Sequence, residues 1–255
     1  ALYQSAWCEK SANQAAKAMA VYKKLLKDHP QSSLVNRASF ELAELEFQSK
    51  AYKDAAGRLE NLMRMAKDTE LKSKAQYRLA WSHFELKAFG KAAEVFEAFG
   101  TGLPVDSGED LKALTGTAAY QAGESWMELA EKASDASVKT KAYTAAQSNY
   151  QKAVTAKNGG EVVQSQALLR LGESQGFLED WKSSQKTYRQ FIQVYAKSKH
   201  KLLRNAWQGL GWAQENQKNH VEAIISYRKV TEELRKDELG ARAQFHIGEC
   251  HLKLA

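Results

Sequence analysis

The sequence predicts an all-α protein, a solenoid built from helical hairpins. Only 2 of the 255 residues are proline, the main helix breaker, and residues that lose little side-chain freedom in a helix are abundant. One pattern of small and large residues also recurs along the chain, as in repeat proteins. With 44% apolar residues the chain can bury a core, which excludes disorder. The abundance of helix-forming residues excludes an all-β fold.

The first helix of each unit is predicted by a six-residue motif: Ala, any residue, a large residue, any residue, an apolar residue, then Ala or Gly. The seven copies begin at Ala1, Ala38, Ala75, Ala118, Ala167, Ala206 and Ala243. They start 37, 37, 43, 49, 39 and 37 residues apart. Small and large residues at this spacing place one apolar stripe on a helix.

A second helix is predicted by a small residue followed four positions later by a large one. This pair comes twelve residues after the motif in five units and is delayed in the fourth. The pairs are Ala18/Tyr22, Ala55/Leu59, Ala92/Phe96, Ala146/Tyr150, Ser184/Tyr188 and Ala223/Tyr227. A single hairpin cannot bury its apolar face, so neighbours must stack. We predict one solenoid domain over 1–255, with units at about 1–34, 35–72, 73–110, 111–158, 159–200 and 201–238 and a partial unit at 239–255.

These residues resemble the tetratricopeptide repeat, which places Leu-Gly on the first helix and Ala-x-x-x-Phe on the second, with Pro near the end of the unit. Leu171-Gly172 and Leu210-Gly211 match in full, and Pro30 stands where the terminal proline is expected. The period of 37 or more, instead of 34, departs from the pattern. The resemblance implies a right-handed superhelix that serves as a non-catalytic protein-protein interaction scaffold.

A narrower resemblance rests on an aromatic residue two positions before the motif leucine and on the unit end Lys27-Asp28-His29-Pro30. It is similar to bacterial cell-envelope members of the family, namely the periplasmic partner of the Tol-Pal system and the lipoprotein of outer-membrane β-barrel assembly. This resemblance implies a periplasmic or envelope location, with the cytoplasm as the alternative. No apolar stretch is long enough for a transmembrane segment.

A partner-binding groove is predicted from the residue that directly follows each motif. This position alternates between Trp and Glu, which a core position does not, and in the resembled family the first helices build the inner wall. Aromatic anchors ringed by charge are typical of surfaces that bind a peptide or helix of another protein. The predicted groove residues are Phe47, Tyr77, Trp81, Phe84, Tyr120, Glu124, Met127, Glu173 and Trp212. Alternatively, Trp81 and Trp212 pack between adjacent first helices.

The net charge of +7 comes from residues 181–255, where a basic patch of Lys197, Lys199, Lys201 and Arg204 stands out. A helical-repeat protein that binds nucleic acid through this basic part is therefore the alternative function. A repeat protein that reads RNA one base per repeat needs a regular period and polar residues at the groove. The irregular period of this chain and its Trp and Glu at the groove positions argue against that function. A solvated loop is the simpler interpretation of the lysines.

No catalytic motif, cofactor loop or zinc spacing is present, so we predict no enzyme activity, no cofactor and no metal site. His246, Cys250 and His251 are close in sequence, but Cys8 and Cys250 occupy one repeat position that is small in most other units. We therefore expect both cysteines to fill a helix-packing position and to stay reduced.

Three further expectations concern shape and packing. The stretch 100–108 holds three glycines and a proline and predicts a loop. The delayed second helix of the fourth unit predicts a longer hairpin. Finally, we expect Gly123, Gly172 and Gly211 to mark close contacts between the helices of a hairpin.

Overall fold

The computed structural model describes residues 1–156, 158–198, 200–232 and 237–255, and these contain thirteen α-helices and no strand. The all-α fold class is confirmed. The helices are α1 (Leu2–Ser11), α2 (Ala15–Asp28), α3 (Val35–Gln48), α4 (Tyr52–Met65), α5 (Thr69–Glu85), α6 (Phe89–Gly102), α7 (Glu109–Lys132), α8 (Ala136–Thr155), α9 (Gly160–Phe177), α10 (Trp181–Tyr195), α11 (Leu203–Asn216), α12 (His220–Thr231) and α13 (Glu238–Leu254).

Two compact units divide the chain: an N-terminal unit, Ala1–Ser125, and a C-terminal unit, Trp126–Ala255. In the N-terminal unit, helices α1 to α6 pack in chain order, each on the next wherever the contact is described. In the C-terminal unit, helices α8 to α13 do the same. Adjacent first helices also touch directly, α3 with α5, α9 with α11 and α11 with α13. These local contacts are those of stacked helical hairpins. A single solenoid domain over the whole chain stays a prediction.

The cores are built from the large residues that the repeat predicts on the second helices. Each is almost fully buried, at 4% exposure or less: Tyr22, Leu59, Phe96, Tyr150, Tyr188 and Tyr227. The small residues four positions earlier are buried without exception, so the opposing first helix can approach closely. Full burial of one such large side chain contributes about 1.5–3 kcal/mol.

Five of the six hairpins have the same kind of turn between their two helices. The residue seven positions after the motif adopts a left-handed conformation with φ near 60°: Asn13, Lys50, Lys87, Glu179 and Lys218. Its N–H and the next one donate to carbonyls of the preceding helix, as in Lys50 N to Phe47 O (2.9 Å) and Ala51 N to Glu46 O (2.8 Å). This arrangement ends a helix and reverses the chain.

Four helix starts are capped by aspartate. Asp68, Asp135, Asp180 and Asp237 each accept a hydrogen bond from the backbone N–H three residues on. Each cap satisfies an otherwise unpaired N–H and places negative charge at the helix N-terminus. These caps define where α5, α8, α10 and α13 begin.

The structure corrects two expectations. Helix α6 continues through Gly102, so the loop predicted at 100–108 covers only 103–108; the Thr101 hydroxyl donates to Glu97 O within that last turn. Cys8 is exposed although Cys250 is buried. At this repeat position Cys250 packs against α12, the helix that precedes its own helix.

The two helices of the fourth unit are longer than their neighbours, as predicted, with 24 residues in α7 and 20 in α8. Among the described residues, none of the helices combines the length and the apolar character that crossing a bilayer requires.

Candidate functional site

A cavity of about 350 Å³ opens in the C-terminal unit along three successive first helices, α9, α11 and α13. Helix α9 supplies Leu169, Arg170, Glu173 and Phe177, helix α11 supplies Asn205, Gln208, Gly209 and Trp212, helix α13 supplies Leu239, Arg242 and His246, and α10 supplies Tyr188. Residues three and four apart share a helix face. Each first helix therefore presents one continuous stripe to the cavity.

Glycines allow the helices to meet behind this cavity. A Cβ on Gly172 would lie 2.9 Å from the ring of Tyr188, and one on Gly211 would lie 2.6 Å from Tyr227. The predicted helix contacts at these two glycines are confirmed. Gly209 approaches Tyr188 from the next hairpin, where a Cβ would come to 2.2 Å. The Tyr188 ring is thus held between two glycines, and its burial, with the nearby Glu173 carboxylate, raises its pKa above the ordinary value.

Trp212, one of the predicted groove residues, lines the cavity and also packs between two first helices. A Cβ on Gly176 of α9 would lie 2.2 Å from the indole ring, so the absence of a side chain there makes room for it. The ring also makes edge contacts with Phe177 and Trp181, at 5.8 and 4.8 Å between centroids. The sequence left two alternatives for Trp212, a place on the groove wall or packing between adjacent first helices. In the structure its side chain does both.

Glu173 is half-buried at the cavity wall. Its carboxylate accepts a hydrogen bond from Arg170, one turn earlier on α9, at 2.7 Å. The structure thus brings two predicted groove residues, Glu173 and Trp212, to one cavity. Arg170, Gln208 and His246 were not predicted for the groove. Each lies three or four residues before the position that follows the motif, which is 173 on α9, 212 on α11 and 249 on α13, so this spacing could have identified them.

The predicted groove residues of the N-terminal unit form a separate aromatic chain. Trp81 makes edge contacts with Tyr77, Phe84 and Phe96, at 6.5, 5.9 and 5.5 Å. Because Phe96 belongs to α6, the indole packs on the second helix of its own hairpin. The Arg78 guanidinium lies over the Phe47 ring, with Arg78 Cζ 4.6 Å from the ring centroid. The binding role of these side chains stays a prediction.

The remaining predicted groove residues lie on α7. Tyr120 and Glu124 are half-buried, whereas Met127 is 4% exposed and points into the interior. A side chain that is so completely buried offers little area to a partner.

The predicted basic patch is smaller than expected. Lys197 and Lys201 are exposed, and Lys199 lies outside the described residues. Arg204 is 12% exposed; its guanidinium binds both carboxylate oxygens of Asp237, at 2.5 and 3.0 Å, and donates to Val230 O. Arg204 therefore fastens the start of α13 to α11 instead of extending a basic surface.

A cluster of charged groups adjoins the cavity, centred on the buried Glu215 of α11. Its carboxylate accepts hydrogen bonds from Tyr227 Oη and Lys253 Nζ, both at 2.9 Å. Burial alone would raise the pKa of Glu215, but these two hydrogen bonds and the charge of His246 hold the pKa below its ordinary value. Glu215 is thus an ionised carboxylate inside the hairpin core.

Many known structures share the fold of this chain. Three of them are the apo form of RapI (16% identity, 89% of this chain, TM-score 0.62), YrrB, described as a TPR protein with an unusual peptide-binding site (12%, 88%, 0.57), and BtubC from P. vanneervenii (14%, 88%, 0.56). This chain spans 62% of the RapI chain, 97% of the YrrB chain and 89% of the BtubC chain. Identities this low establish the fold alone. No curated protein sequence matches the chain.

Family models match in three places. A tetratricopeptide repeat-like domain covers residues 1–101, and tetratricopeptide repeats cover residues 166–198 and 205–233. The matches together take in 163 of the 255 residues, and each falls on the helical hairpins described above. On these repeats and this fold, the chain belongs to the tetratricopeptide repeat superfamily.

Proposed function

We propose that the chain is a non-catalytic scaffold that binds a segment of another protein in the cavity of the C-terminal unit. The observation that carries this proposal is the cavity itself, to which three successive first helices each contribute a stripe of side chains. Its volume of about 350 Å³ lies within the range of about 300–1,000 Å³ typical of ligand sites.

The lining suits a peptide. Leu169, Phe177 and Trp212 offer apolar and aromatic surface, the kind of anchor that dominates binding between proteins. Gln208 Oε1 is buried without a hydrogen-bond partner. Because an unpaired buried acceptor is costly, a peptide N–H that reaches Gln208 would gain an interaction that the free protein lacks.

Selection from a library of short random peptides, displayed on phage, tests this function. We expect enrichment of binders with an apolar or aromatic anchor. Leu169→Glu should weaken a selected peptide at least about tenfold, because it places a charge beside Glu173 in the apolar wall. Val162→Glu is the matched control, since Val162 lies seven residues before Leu169 on the same helix, is 62% exposed and is not among the residues that line the cavity. Equal binding by both variants would contradict the assignment, and melting curves check that both fold.

The cellular setting is a separate proposal, supported by the resemblance to bacterial envelope proteins in the aromatic motif position and in the unit end around Pro30. We place the chain in the periplasm or at the cell envelope, in envelope assembly. The residues that precede Ala1 in the precursor test this: a signal peptide with a lipid-attachment cysteine supports it, and a precursor without an export signal contradicts it.

A further inference from the structure

Three side chains with metal-ligating atoms converge at the end of the C-terminal unit: Glu215 of α11 and His246 and Glu249 of α13. His246 Nδ1 lies 3.1 Å from Glu215 Oε2 and 3.4 Å from Glu249 Oε2, and the three ligand atoms lie within 4.8 Å of one another. Zinc bonds of about 2.0–2.2 Å at tetrahedral angles separate ligand atoms by about 3.3–3.5 Å. The spacing around Nδ1 therefore suits ligands that share one ion.

His246 Nδ1 is itself incompletely satisfied. The atom is buried and has no hydrogen-bond partner, although two carboxylate oxygens are close. A proton on Nδ1 needs an oxygen on its N–H axis, and neither carboxylate provides one. An ion placed between the three atoms would satisfy the imidazole and both carboxylates together.

The surroundings hold these ligands in place. The His246 ring stacks on Tyr227, with centroids 5.1 Å apart and planes 14° apart. Tyr227 Oη and Lys253 Nζ each donate to one oxygen of Glu215. Hydrogen bonds of this kind orient metal ligands and support affinity.

The charge balance favours a cation. Lys253 offsets one of the two carboxylates, and Arg242, one turn before His246, is paired with Glu238. One carboxylate charge of the two therefore remains without a lysine partner. His246 is 28% exposed and Glu249 39% exposed, so an ion can enter from solvent and keep water in its open position.

We propose that Glu215, His246 and Glu249 form a site for a divalent transition-metal ion of the Zn²⁺ class, with water as the remaining ligand. An imidazole nitrogen selects such an ion over Mg²⁺ or Ca²⁺, which prefer oxygen ligands only. The site ties α13 to α11 and does not depend on peptide binding in the cavity.

Titration of the untagged protein with Co²⁺, followed by visible absorption, tests the site directly. We expect an intense d–d spectrum, displacement of Co²⁺ by Zn²⁺, and a higher melting temperature with Zn²⁺ but not with Mg²⁺. Loss of a group that only supports a ligand costs about 10–100-fold in metal affinity. His246→Asn and Glu249→Gln should therefore each weaken Co²⁺ binding at least tenfold.

His251→Asn is the matched control, because His251 is an exposed histidine five residues further along the same helix. It should bind Co²⁺ as the parent does, and circular dichroism of the metal-free proteins checks that each variant folds. The proposal is overturned if the parent gives no d–d spectrum or if His246→Asn binds as tightly as the parent. An intense thiolate charge-transfer band would also overturn it, since it would make Cys250 a ligand.

Discussion

The two units solve the same packing problem with different small residues. In the first three motifs of the N-terminal unit the closing residue is alanine, at Ala6, Ala43 and Ala80, whereas the three motifs of the C-terminal unit close on glycine, at Gly172, Gly211 and Gly248. The C-terminal unit adds Gly176 and Gly209, on which whole aromatic rings rest. The aromatic side chains of the N-terminal unit instead pack against one another around Trp81. The comparison teaches that removing Cβ atoms allows rings to pack between hairpins.

The largest expected effect concerns the contact between glycine and tyrosine. Gly209→Leu in the C-terminal unit should lower the free energy of unfolding by about 3 kcal/mol, because its Cβ would enter the ring of Tyr188. Gly57→Leu, in α4 of the N-terminal unit, has nothing within 4 Å of its Cβ and should gain about 0.5–1 kcal/mol from helix propensity. Urea unfolding of both variants measures this. If Gly209→Leu is as stable as the parent, glycine is not what admits Tyr188.

A second test compares the hydroxyl groups of two tyrosines that occupy the same repeat position, one in each unit. Tyr227 and Tyr22 are both 0% exposed, but Tyr227 Oη donates to Glu215 while Tyr22 Oη is buried without a partner. Tyr227→Phe should cost about 2 kcal/mol, the value of a hydrogen bond to a charged group. Tyr22→Phe should be neutral or gain up to about 1 kcal/mol. Urea unfolding measures both variants, and an equal change in the free energy of unfolding for the two would show that the hydroxyls are not distinguished by their partners.

The smallest effect is expected at the turns that both units share. Lys218→Gly should raise the free energy of unfolding by about 0.5 kcal/mol, because glycine tolerates the left-handed conformation that strains lysine. Lys186→Gly, at an exposed position inside α10, should lower it by about 1 kcal/mol. Thermal melts of the two variants would refute the turn geometry if both were destabilised alike.

Much of the fold could be predicted because the motif and its second-helix pair repeat with few exceptions. The left-handed turns could not, since Asn, Lys and Glu at those positions carry no glycine signal and the conformation is imposed by the hairpin. The end of α6 was missed for the opposite reason: Gly100 and Gly102 signal a loop, yet the helix continues through both. Local propensity was weaker than the continuing backbone hydrogen bonds.

The candidate site was predicted only in part. Glu173 and Trp212 were identified because the prediction used the residue that directly follows the motif in each first helix. The cavity also uses residues three and four positions earlier, such as Leu169 and Gln208. His246 was considered only together with Cys250 and His251 of its own helix, because sequence separation does not reveal that Glu215 of α11 lies beside it.

The different exposure of the two cysteines allows local opening of the last helix pair to be measured. Cys8 is open to reagents, whereas Cys250 is 0% exposed on α13 and packs against α12. Burial and the Glu215 charge also raise the pKa of the Cys250 thiol, which lowers its share of reactive thiolate. A thiol reagent therefore marks Cys8 at once and Cys250 only during moments when α13 separates from α12. The rate at which the second label is added reports the free energy of that local opening, with no probe introduced into the chain.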